Sequence, residues 1–311
     1  MPKIAPSATV DPKAELAEDV EIGPGCYVGP KVTIGRGTVL MPNATILGCT
    51  SIGEGNIFYP ATVIGAAPQD LKYKGTDTQL IIGDHNIFRE GVTAHTGTEV
   101  AGGHTKVGSH NQFQVGTHLA HDVIVGDHCI LSNQVQVAGH VQIESNVTIS
   151  GLVGIQQFVT IGRYSFITGM ARCTMDAPPY MIYGFEGSIQ GVNVKGLGRW
   201  GFQESAIQQL RDVYKKLFPR KGQAVNTYSL RTLYGLLPSG KKDDRNGSVT
   251  LARRLSDVDS MTNLDEHCRY LIDFVKRSIH SGVHGRYLES CRRDGNGERP
   301  AFYAGNGGNG R

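Results

Sequence analysis

VEIGPGCYVGPKVTIGRGTVLMPNATILGCTSIG (residues 20–53) carries a large apolar residue at every sixth place: Ile22, Val28, Ile34, Leu40, Ile46 and Ile52. Followed outward, the same count takes in Ile4, Val10 and Leu16 before it and Phe58 and Ile64 after it. A second register runs Val107, Phe113, Leu119, Val125, Leu131, Val137, Ile143, Ile149, Ile155, Ile161 and Ile167. A strict period of six fits neither a 3.6-residue helix nor a simple alternating strand. It marks a parallel β-helix, in which short strands stack coil upon coil.

Each large residue is commonly followed by glycine, as in Ile22-Gly23, Ile34-Gly35 and Val107-Gly108. Two places before it stands a smaller residue such as Cys26, Val32, Thr38 or Ala44, on the same strand face. The glycine is expected to take the turn at positive φ, where a Cβ is penalised. Three strands per coil give a triangular prism of about nine coils of ~18 residues, a rod of roughly 40 Å at the spacing of paired strands.

The register falters twice. Between Ile64 and Ile82 the stretch AAPQDLKYKGTDTQL puts Asp70 and Thr76 where the repeat requires core, and the phase resumes as though a coil's length of chain were partly looped out. The second break, GTEVAGGHTK (97–106), shifts the phase by one residue. Loops that leave a regular scaffold commonly carry function. After Ile167 the hexads fade, and Pro178-Pro179 cannot continue a ladder. Helical patterns follow at 202–218, with Phe202, Ala206, Leu210, Val213 and Leu217 on one stripe, and at about 263–281. The expected organisation is a β-helix over 1–187, a helical region over 188–281 and a structureless tail over 282–311.

A net charge of +3 over 311 residues is too small to make nucleic acid the main partner. Six scattered cysteines without a C-x-x-C pair argue against structural zinc or a disulfide framework and fit a reducing compartment. No signal peptide and no bilayer-spanning apolar run is visible, so a cytoplasmic location is expected. Eight of the eleven histidines lie between His85 and His140. His118 and His121 flank the core residue Leu119, His95 precedes the second break, and His140 follows His121 by about one coil, so that His118, His121 and His140 could face one another.

The stretches QDLKYKG (69–75), TKVGSHN (105–111), THLAHDVIVG (117–126), QVAGHVQI (136–143), DAPPYMI (176–182) and GVNVKGLGRWGF (191–202) resemble the UDP-N-acetylglucosamine O-acyltransferase family of lipid A biosynthesis over roughly residues 1–220. The resemblance implies a left-handed parallel β-helix, a homotrimer with active sites between subunits, and transfer of a 3-hydroxyacyl chain from acyl carrier protein to the glucosamine 3-position of UDP-N-acetylglucosamine or a related UDP-amino sugar. The donor is the carrier's phosphopantetheine thioester, and no metal or further cofactor is expected.

A sugar hydroxyl needs a base within hydrogen-bond reach as it attacks a thioester, and imidazole, with an ordinary pKa near 6.5, suits that task. The match to the family motif makes His121 the base, Asp122 its orienting partner and the Gly139 N–H the oxyanion donor. It places Asp70, Lys72, His95, His118, His140 and Gln157 against substrate, Asn193 and Arg199 near the nucleotide, and Gly169 and Met170 at the end of the acyl pocket. Basic residues Arg211, Lys215, Lys216, Arg220 and Lys221 could steer an acidic carrier protein. The chain departs from the family pattern at Thr96, Gln156, Lys195 and Trp200. Two other readings stay open on residues alone: the histidines could hold zinc, as in a γ-type carbonic anhydrase, or the departures could mark an inactive scaffold.

Overall fold

The computed structural model describes residues 1–218, 251–280 and 285–291. Strands of two to four residues succeed one another around three faces. The first coil is β1 (Lys3–Ile4), β2 (Thr9–Val10) and β3 (Glu15–Leu16), and β4 (Glu21–Ile22) lies in parallel over β1. Every third strand joins the same sheet, giving sheets of eleven, nine and eight strands. This is the parallel β-helix that the hexads predict, with Lys3 opposite Glu21, eighteen residues on.

The sixth-place residues from Ile22 through Ile64, and from Val107 through Ile167, are buried. At the N-terminal end, where no coil covers the first one, Ile4 is 45% exposed. Inside the prism like residues stack. Phe58, Phe88 and Phe113 lie ring on ring at 4.7 and 4.8 Å. Beside them, at the place two before the large residue, Asn56, Asn86 and Asn111 form a buried ladder in which each carboxamide oxygen accepts the next coil's N–H. Burying an amide costs little when its hydrogen bonds are made in this way.

The role of the hexad glycine differs from the one the sequence suggests. Positive φ falls three places after the large residue, at Gly25, Gly37, Asn43, Ala61, His110, Asp122 and His140 among others. The glycine directly after the large residue is required by close approach of the neighbouring coil. A Cβ on Gly108 would sit 2.6 Å from the Gly126 carbonyl oxygen, and one on Gly83 2.8 Å from that of Gly108.

Both breaks are longer than the phase shows. The pairing step widens to thirty residues at Ile57 with Ile87, so twelve residues, two hexads of an eighteen-residue coil, leave the prism in the first. Because twelve is a multiple of six, the phase survives. In the second the step is twenty-five, Ile87 with Gln112, so seven residues leave, one hexad plus the single residue visible as a shift.

Pro179 lies over Gly162 just beyond Thr160–Ile161, the last strand of the eight-stranded sheet. The expected boundary at 187/188 falls inside a hairpin, because Ile189–Val192 turns back antiparallel onto Met181–Tyr183. Five helices follow among the described residues: α1 (Val194–Arg199), α2 (Glu204–Leu217), α3 (Leu251–Asp259), α4 (Glu266–His280) and α5 (Tyr287–Ser290). On α2 the buried stripe is Ile207, Leu210, Val213 and Leu217, with Ile207 taking the place expected for Ala206. The stretch 251–259, which no sequence pattern marked, packs as α3 against α2 and α4.

The tail expected from residue 282 contains structure at 285–291. Arg286 is buried there, donates to the Thr174 carbonyl at 2.8 Å and pairs with Glu289. Residues 281–284 and 292–311 lie outside the described residues. All six cysteines are free thiols, and no described helix is long and apolar enough to cross a membrane.

Candidate active site

The strand His118–Leu119 lies between Thr93–His95 and Gln136–Val137 in the nine-stranded sheet, with His118 opposite both Thr93 and Gln136. Leu119 points inward and is fully buried. His121 and Asp122 follow as the chain rounds the prism corner. Asp122 occupies the positive-φ place of its hexad, at φ 60°, a conformation that Asp tolerates better than most residues. That turn sets Asp122 Oδ2 2.7 Å from His121 Nδ1.

Two further bonds fix the carboxylate and a third fixes its backbone. Thr98 N donates to Oδ1 at 2.7 Å, Thr98 Oγ1 donates to Oδ2 at 2.6 Å, and the backbone N–H of Asp122 donates to Thr105 Oγ1 at 2.8 Å. Burial pushes the Asp122 carboxyl up, but the hydrogen bonds from His121 and from Thr98 outweigh it and hold the group below the usual carboxylate range. An ionised carboxylate only accepts, so in the neutral tautomer of His121 the proton sits on Nδ1 and Nε2 is left bare.

The bare nitrogen lies against Gly139. A Cβ at position 139 would come 2.5 Å from Cε1 and 2.7 Å from Nε2 of His121, so the ring packs directly on the glycine backbone of the next coil. Both face a groove of about 660 Å³ that is also lined by Gln69, His118, Gln157 and Arg172. An imidazole packed on a glycine backbone in a groove is an arrangement with which acyl transfer to a hydroxyl is chemically compatible.

The eight clustered histidines divide. His118 and His121 line the groove. His95 packs edge-on against His118 at 4.8 Å between ring centroids. Burial, with smaller contributions from His118 and His121, lowers its pKa to about 4, so it is uncharged near neutrality, and its buried Nδ1 has no hydrogen-bond partner. His118 Nδ1 lies 2.7 Å from Thr93 Oγ1, and burial depresses its pKa, with His121 adding to the shift. His140 meets His121 edge-on at 5.1 Å between ring centroids, with its Nδ1 3.7 Å from Asp122 Oδ2, but does not line the groove with His118. It stacks on Phe158 at 4.5 Å and, with Asp122, lines a separate cavity of about 350 Å³ that Leu288 and Cys291 help to close. His85, His110 and His128 form a stacked column in the positive-φ places of another corner.

Among the other expected site residues, Asp70 and Lys72 lie on the first excursion, where Asp70 Oδ1 accepts the Lys72 N–H at 3.0 Å, and their neighbour Gln69 reaches the groove. Asn193 is committed locally: its Oδ1 caps α1 through Gly196 N, and its Nδ2 donates to the Tyr164 carbonyl at 2.9 Å. Arg199 is exposed at the end of α1, and Gly169 and Met170 are exposed at a prism corner. On α2, Arg211 and Lys215 pair with Glu204 and Asp212, while Arg220 and Lys221 lie outside the described residues. Trp200 packs edge-on against His128 and Tyr164. Among the described residues one group could offer three metal-ligating atoms, His121, Asp122 and His140. A γ-type zinc site would call on three histidines.

The family profile for domain 2 of UDP N-acetylglucosamine O-acyltransferase matches residues 176–283, and that of the bacterial transferase hexapeptide matches residues 1–36. An acyl-[acyl-carrier-protein]–UDP-N-acetylglucosamine O-acyltransferase of Myxococcus xanthus is 44% identical over 240 residues, covering 71% of this chain and 86% of that protein. The chain belongs to the UDP-N-acetylglucosamine O-acyltransferase family. The member from Stutzerimonas stutzeri is 41% identical over 72% of this chain and 87% of its own length. The crystal structure of the UDP-N-acetylglucosamine acyltransferase from Bacteroides fragilis superposes with a TM-score of 0.75 at 35% identity, covering 88% of this chain and 96% of that one. That from Acinetobacter baumannii gives 0.74 at 37%, covering 87% and 95%.

Within this candidate site, sequence reasoning missed Thr98, Gln136 and Arg172. Thr98 lies 24 residues before Asp122 on a looped segment, and no local spacing links them. Arg172 and Gln136 reach the groove on strands of the same sheet as His118, a relation legible from the uninterrupted 18-residue coil step between them.

Proposed function

We propose that this chain transfers a 3-hydroxyacyl group from acyl carrier protein to the glucosamine 3-hydroxyl of UDP-N-acetylglucosamine, with His121 as general base. The observation that carries the mechanism is the His121 ring, bonded through Nδ1 to Asp122 and packed with Nε2 beside Gly139 in an open groove. The sugar oxygen attacks the thioester carbon while Nε2 takes the hydroxyl proton. The carbonyl oxygen becomes an oxyanion and accepts from the Gly139 N–H. Collapse expels the phosphopantetheine sulfur, which takes the proton back from the imidazolium, leaving the ester and a free thiol. Asp122 stays ionised throughout and stabilises the imidazolium. The step calls on no metal or further cofactor.

His118, Gln157 and the uncharged His95, with its unpartnered nitrogen, would bind the reactants beside the base. Asp70 and Lys72 would act from the first excursion, and His140 would support the Asp122 side of the site. Asn193 would serve the nucleotide end by fixing α1, which carries Arg199. Leu152 and Met170 stand on adjacent coils at one prism corner and are 62% and 65% exposed, which supports covering by another copy in a homotrimer. The acyl chain would end there, against Gly169 and Met170. The prism would then serve as scaffold, and the described helices that follow Val192 as a cap, in a cytoplasmic enzyme.

The test is an acyl-transfer assay on the purified chain with UDP-N-acetylglucosamine and 3-hydroxyacyl carrier proteins of graded length. His121→Ala should lower turnover by roughly 10²–10⁴-fold with melting temperature and oligomeric state unchanged. Near-normal turnover in that variant would remove His121 as the base.

A further inference from the structure

The second excursion exists in the fold to do something a regular hexad cannot. In the column of corner residues at Asp122, His140 and Phe158, the backbone N–H of His140 and that of Phe158 each donate to a carbonyl of the preceding coil, and that of Asp122 donates to Thr105 Oγ1, so none of these bonds reaches the Asp122 side chain. For a carboxylate that is too few partners, and a buried carboxylate left short of donors is costly. The seven extra residues bring Thr98, which is 1% exposed, to the Asp122 side chain with two donors at once, N–H to Oδ1 at 2.7 Å and Oγ1–H to Oδ2 at 2.6 Å. The hydroxyl shares Oδ2 with His121 Nδ1, so Thr98 and His121 bond to one oxygen.

Thr98 is itself fixed from two directions. Its carbonyl accepts from Ala101 N and Gly103 N, which closes the excursion on itself. The next residue, Glu99, accepts from Lys74 N at 3.2 Å and Thr76 Oγ1 at 3.0 Å, and the Thr78 hydroxyl lies 3.1 Å from that of Thr96. The excursion that carries Asp70 and Lys72 is therefore stitched to Thr96 and Glu99, on either side of Thr98 in the second excursion.

We infer that Thr98 is a positioning residue for acyl transfer: its two donors hold the Asp122 carboxylate against His121 Nδ1, and the Glu99 bonds tie that arrangement to the 69–78 loop. The inference rests on His121 being the base. Losing a hydrogen bond to a charged group of this kind corresponds to about 10- to 100-fold in rate.

Thr98→Val keeps the backbone donor and removes the hydroxyl, and Thr98→Ser restores it. The full chain is assayed across pH, with His121→Ala alongside. Turnover in Thr98→Val should fall by about 10- to 100-fold, KM for the sugar nucleotide should change less, and the acid limb should move to higher pH as Asp122 becomes easier to protonate. Thr98→Ser should recover most of the rate. A Thr98→Val enzyme within about threefold of wild type with an unmoved acid limb overturns the inference, as does a folded Thr98→Ser that recovers nothing. Should Thr98→Val not fold, Thr98→Ala and Thr98→Ser carry the same comparison. If His121→Ala also keeps its rate, the base assignment falls with it; if His121→Ala is inactive and the hydroxyl proves dispensable, only the role of Thr98 falls.

Discussion

A single methyl group can separate the two things His121 must do. The ring must stay bonded to Asp122 at Nδ1 and keep Nε2 turned toward the groove, and Gly139 leaves it the room for both. A Cβ there at 2.5 Å from Cε1 forces the ring to rotate or the coil to shift, and either breaks the alignment. Rates depend steeply on placement of the reacting groups, so Gly139→Ala should lose about 10²-fold in turnover. The stability cost should be only about 1–3 kcal/mol, as for other overpacked sites. Kinetics together with a thermal melt would check this. A variant that melts normally and turns over within threefold of wild type would show that the contact is slack. The residue types here were readable from the H-x-x-H-D spacing. The partner that completes them was not, because Thr98 reaches Asp122 through a loop whose path no periodicity encodes.

At the scale of one hexad, two kinds of glycine do different work, and they should respond differently to the same substitution. Gly91 has φ 65° and nothing within 4 Å of an added Cβ, and one coil earlier Ala61 occupies the same column at φ 62°. Gly91→Ala should therefore cost only the left-handed penalty of about 1 kcal/mol. Gly108 has ordinary φ, but its Cβ would press on the Gly126 carbonyl, and backbone cannot step aside as a side chain can. Gly108→Ala should cost about 3 kcal/mol, the upper end for overpacking. Denaturation midpoints of the two variants in the same buffer decide it, and equal shifts would refute the distinction. The period of six was enough to read the prism, its three faces and its core, since burial alone imposes that period. It could not say why the glycine is there, because close approach of one coil to the next is a property of the stack. It also hid most of both excursions, since whole hexads can be inserted without changing phase.

At the scale of the whole molecule, one buried carboxylate bridges the rod and two of its helices. Asp176 is fully buried at the end of the prism. It accepts from Thr160 N on the last coil, from Ser278 Oγ on α4 and from Tyr287 N at the start of α5. Neither α3 nor the return of residues 285–291 was visible in the sequence, because each is short and is specified by what it packs against. Burial pushes the Asp176 carboxyl up to about 6, with the three donors and nearby Arg277 only partly opposing it. The sign follows from linkage. Between the ordinary value of 3.8 and about 6 the folded chain holds a proton that the unfolded chain has released. This group therefore favours the fold fully below that window and loses its contribution as pH rises through it, by on the order of 2–3 kcal/mol. Asp176→Asn has no such proton. The melting temperature of the wild type minus that of the variant should accordingly decline between pH 4 and about 6.5 and stay level above it, with other titrating groups cancelling in the difference. A difference that stays flat, or rises with pH, would mean that the donors outweigh burial and that the clamp is an ordinary ionised carboxylate.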